Sequence, residues 1–332
     1  MQLSGQRFLV TGGGGFIGRY VVDQLTKQGA RVRIFELPGR AQPSQHVELF
    51  EGDLTRPDDV RRAVEGVDGV FHMAVLPLNP SAENPRRCLE INVDGSFNVF
   101  EAAQQLGAKK LVFSSASSVY GDTLEVMDEQ HPLLARTIYG ASKIAGEALL
   151  RAVASTSRLE YVTLRYMNVY GPFMGFGLVD SVLKRIAAGQ PPLINGDGSQ
   201  SFDFVYVSDV AGATVRAMEA GVSDEVFNVG SGEENSVRDV VSALLELTGS
   251  PLQPEFRDVQ VPMVRRVGSS EKAARLLGWR ATVPFHEGLR RVVQEQFDPP
   301  SPSGRGLARV SRTAARGRAG VRRTRATGVR AD

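Results

Sequence analysis

Through the first two-thirds of the chain, short β-branched runs alternate with longer amphipathic stretches, the order expected of a parallel sheet covered by helices. RFLVTG (7–12) reads as a strand, FIGRYVVDQLTKQG (16–29) as a helix stopped by Gly29, and RVRIFE (31–36) as a second strand. DDVRRAVEG (58–66) predicts a helix, GVFHMA (69–74) a buried strand, CLEINVDGSFNVFEAAQQLG (88–107) one long helix and KKLVFSS (109–115) a strand. YGASKIAGEALLRAVAS (139–155) then predicts a helix and YVTLRY (161–166) a strand. The pattern gives the fold class: α/β, a Rossmann-like doubly wound parallel sheet. After about residue 170 it breaks into the Gly/Pro-rich segments GPFMGFG (171–177) and QPPLINGDGSQS (190–201) around a helical stretch, VDSVLKRIAAG (179–189). Residues 1–170 are thus expected to form the sheet domain, joined by returning segments near 204–232. Residues 171–298 are expected to form mainly a smaller C-terminal lobe that binds the substrate.

Charge sharpens this division. The chain of 332 residues has a formal charge of +2, but nine arginines and one acid lie between Pro299 and Asp332, leaving the body mildly acidic. Low aromatic content and the absence of periodicity predict a disordered Arg-rich tail over 299–332. The near-neutral sum gives no reason to expect a specific nucleic-acid partner. The single cysteine, Cys88, excludes an internal disulfide framework and favours a reducing compartment, so a cytoplasmic location is expected. No apolar run is long enough for a membrane span and no signal segment opens the chain, so no membrane partner is expected.

The first chemical signal is TGGGGFIG (11–18), placed between the first strand and the first helix. It satisfies Gly13-x-Gly15-x-x-Gly18 and Gly12-x-x-Gly15-x-x-Gly18 together, the spacing that lets backbone approach a dinucleotide pyrophosphate at a helix N-terminus. Glu36, at the end of the second strand, is placed to accept hydrogen bonds from the adenosine ribose and to repel a 2′-phosphate, which favours NAD over NADP. Asp53 in EGDL (51–54) is a candidate adenine contact, with a plain loop acid as the alternative. Further on, Tyr139-Gly-Ala-Ser-Lys143 sets a phenol and an ammonium on one helix face, where the cation would stabilise phenolate.

In this setting the chain resembles the extended short-chain dehydrogenase/reductase family, and within it the NAD-dependent nucleotide-sugar epimerases and dehydratases. The resemblance covers residues 6–290 and rests on TGGGGFIG, FHMA, INVDGSFNVFEAA, SSASSVYG, YGASK, LRYMNVYGP, GDGSQSFDFVYVSDVA and KAARLLGW, in that order. It implies that Gly12, Gly15, Phe16, Ile17, Gly18, Glu36, Asp53, Leu54, Met73, Ala74, Asn92, Tyr139, Lys143 and Tyr166 hold NAD. It further implies that Tyr139 takes a proton from a sugar hydroxyl, usually at carbon 4, while the hydride leaves for the nicotinamide. Lys143 would lower the Tyr139 pKa and bind the nicotinamide ribose. The implied substrate is a nucleoside diphosphate sugar, with Asn168 and Arg265 as substrate contacts, and a homodimer through the helices at 88–107 and 139–155 is expected by analogy.

The chain departs from the pattern in two places. Four residues before Tyr120 the family usually carries Ser or Thr; here the residue is Ala116, and Ser117 is the expected substitute, with a catalytic and substrate-binding role. Ser117 and Ser118 also stand where 4,6-dehydratases carry an Asp-Glu pair, which argues against that subclass. Before Asp203 the family's diphosphate-clamping arginine is replaced by Phe202, leaving Arg265, or Arg266 beside it, to carry the charge. The expected reaction is therefore 4-epimerisation of a UDP-hexose or UDP-hexosamine. The alternatives are an unusual dehydratase removing water across carbons 5 and 6, and a catalytically idle NAD-binding regulator or scaffold. His72 in its apolar strand is read as a core residue, and no metal constellation is seen.

Overall fold

The computed structural model describes residues 1–41, 47–259 and 264–297; the tail expected to be disordered, 299–332, lies outside them. The strands are β1 (Arg7–Thr11), β2 (Arg31–Glu36), β3 (Val47–Glu51), β4 (Gly69–His72), β5 (Lys110–Ala116), β6 (Glu160–Tyr166), β7 (Asn168–Tyr170), β8 (Leu193–Asn195), β9 (Ser201–Tyr206), β10 (Glu225–Val229), β11 (Glu234–Ser236), β12 (Glu255–Arg257) and β13 (Arg265–Arg266). The helices are α1 (Gly18–Lys27), α2 (Pro57–Val64), α3 (Leu78–Glu83), α4 (Pro85–Leu89), α5 (Gly95–Gln105), α6 (Ile138–Ser155), α7 (Gly177–Ala187), α8 (Val207–Glu219), α9 (Val237–Thr248), α10 (Glu271–Leu277) and α11 (Phe285–Phe297).

Seven of the strands form one parallel sheet in the order β10-β6-β5-β4-β1-β2-β3. The order reverses between β1 and β4, so the crevice beyond their carboxyl ends is the place where such sheets bind ligands. Helices α2, α5 and α6 pack together on one face, while α1, α8 and α10 cover the other. Being buried on both sides, the central strands read as continuous apolar runs. Phe8, Val10, Phe71 and Val112 are fully buried, each worth about 1.5–3 kcal/mol for a large apolar side chain removed from water.

Helix α8 packs on the sheet and β10 is its edge strand. Helix α10 also packs on α8 and β10, which the sequence reading missed. The remaining elements build the smaller lobe, in which β9 pairs with β7, β11 and β13 over a core of α7, α9 and α11.

The expected single helix over 88–107 is interrupted. Residues Glu90–Asp94 form a π-helical turn between α4 and α5. Within it, buried Asn92 turns its amide onto the backbone of Leu76, accepting from the N–H at 2.7 Å and donating to the carbonyl at 3.1 Å. A single inserted residue barely disturbs helical periodicity, so the sequence pattern hides such a turn.

Candidate active site

The glycine loop leaves β1 at the switch point. Gly12 adopts φ +67°, and a Cβ on it would lie 2.8 Å from the Cα of Ala74. Gly18 is tighter still: its Cβ would lie 2.2 Å from the carbonyl oxygen of Gly12. Helix α1 therefore begins directly against the turn. No side chain caps that N-terminus and no acid occupies its first turn, so the helix dipole and free N–H groups face the loop at Phe16 and Ile17. An uncapped helix end beside a cradle that a Cβ would fill fits a dinucleotide pyrophosphate. Glu36 stands next to the loop, half-buried, with its carboxyl pushed up by burial and drawn down by the backbone of Leu37 and by Arg40.

Other cofactor candidates are placed less directly. Asp53 Oδ1 accepts from the backbone N–H and hydroxyl of Thr55, and Oδ2 faces Arg87 at 3.6 Å; the plain loop role suffices to explain it. Buried Leu54 meets Gly95 instead, where a Cβ would approach within 3.0 Å. Two further candidates are engaged with the protein itself. Asn92 accepts from the Leu76 N–H and its amide donates to the Leu76 carbonyl and to Ser142, so it holds the segment after Met73 and Ala74 in place. Tyr166 shares a hydrogen bond with Thr214 Oγ1 at 2.7 Å inside the core. His72 is a satisfied core residue: Thr11 and Ser96 hold its two nitrogens at 2.7 and 2.9 Å, and burial lowers its pKa to about 3.

Tyr139 and Lys143 come together as the spacing requires, with Lys143 Nζ 5.8 Å from the centre of the Tyr139 ring. Lys143 is 3% exposed and donates to the carbonyl of Ser114 at 2.7 Å. Burial lowers its pKa to about 7, against the fields of Glu147 and Cys88, which raise it. Tyr139 keeps part of its surface open, yet burial around its phenol, and then Cys88, push that group above its ordinary value. The same desolvation thus raises the phenol and weakens the ammonium.

The serine run resolves by elimination. Ser114 donates to the carbonyl of His72, and Ser115 donates to Glu147 at 2.5 Å. Ala116 ends β5, and Ser117–Val119 form a 3₁₀ turn against the start of α6, where a Cβ on Gly140 would lie 2.5 Å from the Ser118 carbonyl. Among the described residues the Ser117 hydroxyl has no protein partner, and the Ser118 hydroxyl is buried without one.

On the substrate side, Asn168 begins β7 with its amide free of hydrogen bonds among the described residues. Arg265 is committed to Glu234, through Nε at 2.9 Å and Nη2 at 2.8 Å, and to the carbonyl of Leu124. Arg266 differs. It pairs in register with Phe202, so the two side chains share one sheet face, and its buried Nε has no partner. Among the described residues its ion-pair partner is Asp122, at 3.4 Å.

The sequence profile of the NAD dependent epimerase/dehydratase family matches residues 8–230. The chain belongs to that family. Its members are enzymes that use NAD, so the expected cofactor and class stand. The enzyme is 33% identical over 305 residues to the UDP-glucose 4-epimerase of Mycolicibacterium smegmatis, covering 87% of this chain and 97% of that one. It is 31% identical over 316 residues to the UDP-N-acetyl-alpha-D-glucosaminuronate decarboxylase of Bacillus cytotoxicus, covering 87% and 97%. The crystal structure of the UDP-glucose 4-epimerase of Thermotoga maritima with UDP-glucose superposes with a TM-score of 0.82 at 32% identity, covering 88% of this chain and 99% of that one.

Two features of the family member's site escaped the sequence reading. Arg19 lies over the rings of Phe16, Tyr20 and Phe173, and donates to the carbonyl of Pro172 at 2.5 Å, tying α1 to the first segment of the smaller lobe. Behind the catalytic helix, Glu147 and Arg165 form a buried ion pair. The spacing of Glu147 four residues after Lys143 was the available signal.

Proposed function

We propose that the enzyme interconverts the carbon-4 epimers of a UDP-hexose or UDP-hexosamine by transient oxidation at that carbon. The observation that carries this reading is the Tyr139/Lys143 pair at the end of the NAD cleft, beside a turn that offers serine hydroxyls and no carboxylate pair. NAD supplies the hydride acceptor and, in its oxidised form, a positive ring charge that favours phenolate. Tyr139 accepts the proton of the sugar hydroxyl, and Lys143, fixed by the Ser114 carbonyl, stabilises the resulting charge. Ser117 hydrogen-bonds the reacting hydroxyl in place of the side chain that Ala116 lacks, and Asn168 contacts the substrate. The likeness to UDP-glucose 4-epimerases supports this reading. Dehydration is disfavoured because Ser117 and Ser118 cannot replace an acid–base carboxylate pair.

Incubation with UDP-sugars in deuterated water separates the outcomes. Simple 4-epimerisation gives a product of unchanged mass with inverted carbon 4. Deuterium gained at carbon 5, or loss of water, would exclude it.

We assign the diphosphate contact to Arg266 rather than to Arg265. Arg266→Ala is expected to raise the KM for the nucleotide sugar about 10- to 100-fold with little change in kcat, the size of a lost charge-assisted hydrogen bond. Arg265→Ala, which breaks an exposed pair, should change KM by less than about fivefold. The reverse order in steady-state kinetics would return the role to Arg265.

We further propose a cytoplasmic homodimer joined through α5 and α6, which lie side by side with Leu89 and Phe97 exposed nearby. Among the described residues no helix is long and apolar enough to cross a membrane.

A further inference from the structure

Helix α6 presents more than its two reacting groups to the sheet. One turn beyond Lys143, Glu147 is 3% exposed and accepts from Arg165 Nε at 3.0 Å and Nη2 at 2.7 Å. It also accepts from the hydroxyl of Ser115, while Lys143 holds the carbonyl of the preceding residue, Ser114. The end of β5 is thus stapled to α6 by two contacts from adjacent turns of one helix. Arg165 is the register partner of Ser115 on β6 and extends the network outward. It donates to the Tyr120 hydroxyl at 2.9 Å and to the Glu129 carbonyl at 3.2 Å, and Tyr120 donates to Asn228 Oδ1 at 2.6 Å. The turn bearing Ser117 lies between Ser115 and Tyr120, inside this frame.

A buried ion pair is weak evidence for stability, since apolar residues of equal volume often serve as well. Its placement here points to a different use. We propose that Glu147 and Arg165 are positioning residues for the reacting pair: the Glu147 carboxylate fixes α6 against the Ser114–Ser117 strand end and supplies the negative field at Lys143, which Arg165 moderates. The proposal rests on the reading of Tyr139 and Lys143 as the reacting groups. The titratable groups facing Lys143 are Tyr139 and Glu147 from its own helix, Cys88 from α4 and His72 from β4; Arg165 reaches it only through Glu147. With His72 held neutral, Glu147 is the paired carboxylate among them.

The signs follow. Removing the carboxylate leaves Lys143 with less opposing charge, so its ammonium loses its proton at lower pH. Removing the guanidinium leaves Glu147 unneutralised and does the reverse. The experiment is the pH dependence of kcat for the NAD-loaded enzyme with its nucleotide sugar, in Glu147→Gln, Arg165→Gln and Glu147→Asp. The alkaline limb, where the Lys143 charge is lost, should move down by about one pH unit in Glu147→Gln and upward in Arg165→Gln, with the KM for the sugar within about threefold of the parent. Glu147→Asp keeps the charge and should restore the limb to its original pH. Should Glu147→Gln not accumulate as folded protein, the Arg165→Gln and Glu147→Asp pair carries the same test. Limbs that stay in place, or shift in the same direction in both charge-removing variants, overturn the proposal. A parent enzyme without any sugar turnover would instead refute the assignment of the reacting pair.

Discussion

Tyr139→Phe should lower kcat for sugar turnover about 10²- to 10⁴-fold, the range spanned by loss of a positioned general acid–base. The size of the effect follows from the site's economy: within the described residues no second group with a suitable proton stands beside Lys143. His72 is locked between Thr11 and Ser96, Glu147 is occupied by Arg165 and Ser115, and the Cys88 thiol is fully buried under the Asn92 amide. The fold should tolerate the change, because among the described residues the Tyr139 hydroxyl has no protein hydrogen bond to lose. NAD binding and the thermal midpoint should therefore stay close to those of the parent while turnover disappears. Turnover within tenfold of the parent, measured by product formation, would remove Tyr139 from the chemistry.

Gly18→Ala should weaken NAD binding about 10- to 100-fold. The added Cβ would sit 2.2 Å from the Gly12 carbonyl oxygen and 2.9 Å from the Gly13 Cα, contacts with backbone that no rotamer change relieves. The same Gly12 carbonyl accepts from the Gly15 N–H at 2.9 Å, so relief of the clash must open the turn that forms the cradle. Overpacking of this kind costs about 1–3 kcal/mol, and at this position the cost falls on the bound geometry. Gly221→Ala is the matched control: nothing lies within 4 Å of its Cβ, and binding should not change. Calorimetric titration with NAD checks both. Unchanged affinity in Gly18→Ala would show that the cradle does not carry the pyrophosphate.

The parts of this protein legible in its sequence are those written in periodicity and in local spacing. The alternation of β1 to β6 with their helices, the glycine turn and the Tyr139/Lys143 spacing all appear in the structure in the expected context. Side-chain commitments made across the fold were not legible. The motif around Asn92 does not reveal its partner: the π-helical turn aims it at Leu76, about 55 Å of extended chain away in sequence yet adjacent in space. Tyr166 faces Thr214, and Arg265 faces Glu234; each partner belongs to an element whose approach depends on the crossover connections. The choice between Arg265 and Arg266 turns on strand register, and a two-residue strand carries no periodicity from which register could be read. The charge on Lys143 is likewise collective, set by burial together with Glu147 and Cys88.

Transient oxidation at carbon 4 with return of the same hydride is the central claim, and isotopic labelling at that carbon tests it most directly. UDP-glucose and UDP-N-acetylglucosamine, each carrying deuterium at carbon 4, are incubated with the NAD-loaded enzyme and the products read by mass spectrometry and NMR. Return of the same hydride gives a 4-epimer of at least one of them that retains the deuterium at carbon 4 and the full mass of its substrate. A product that has lost water, or an epimer whose deuterium has been replaced by hydrogen from solvent, would contradict it.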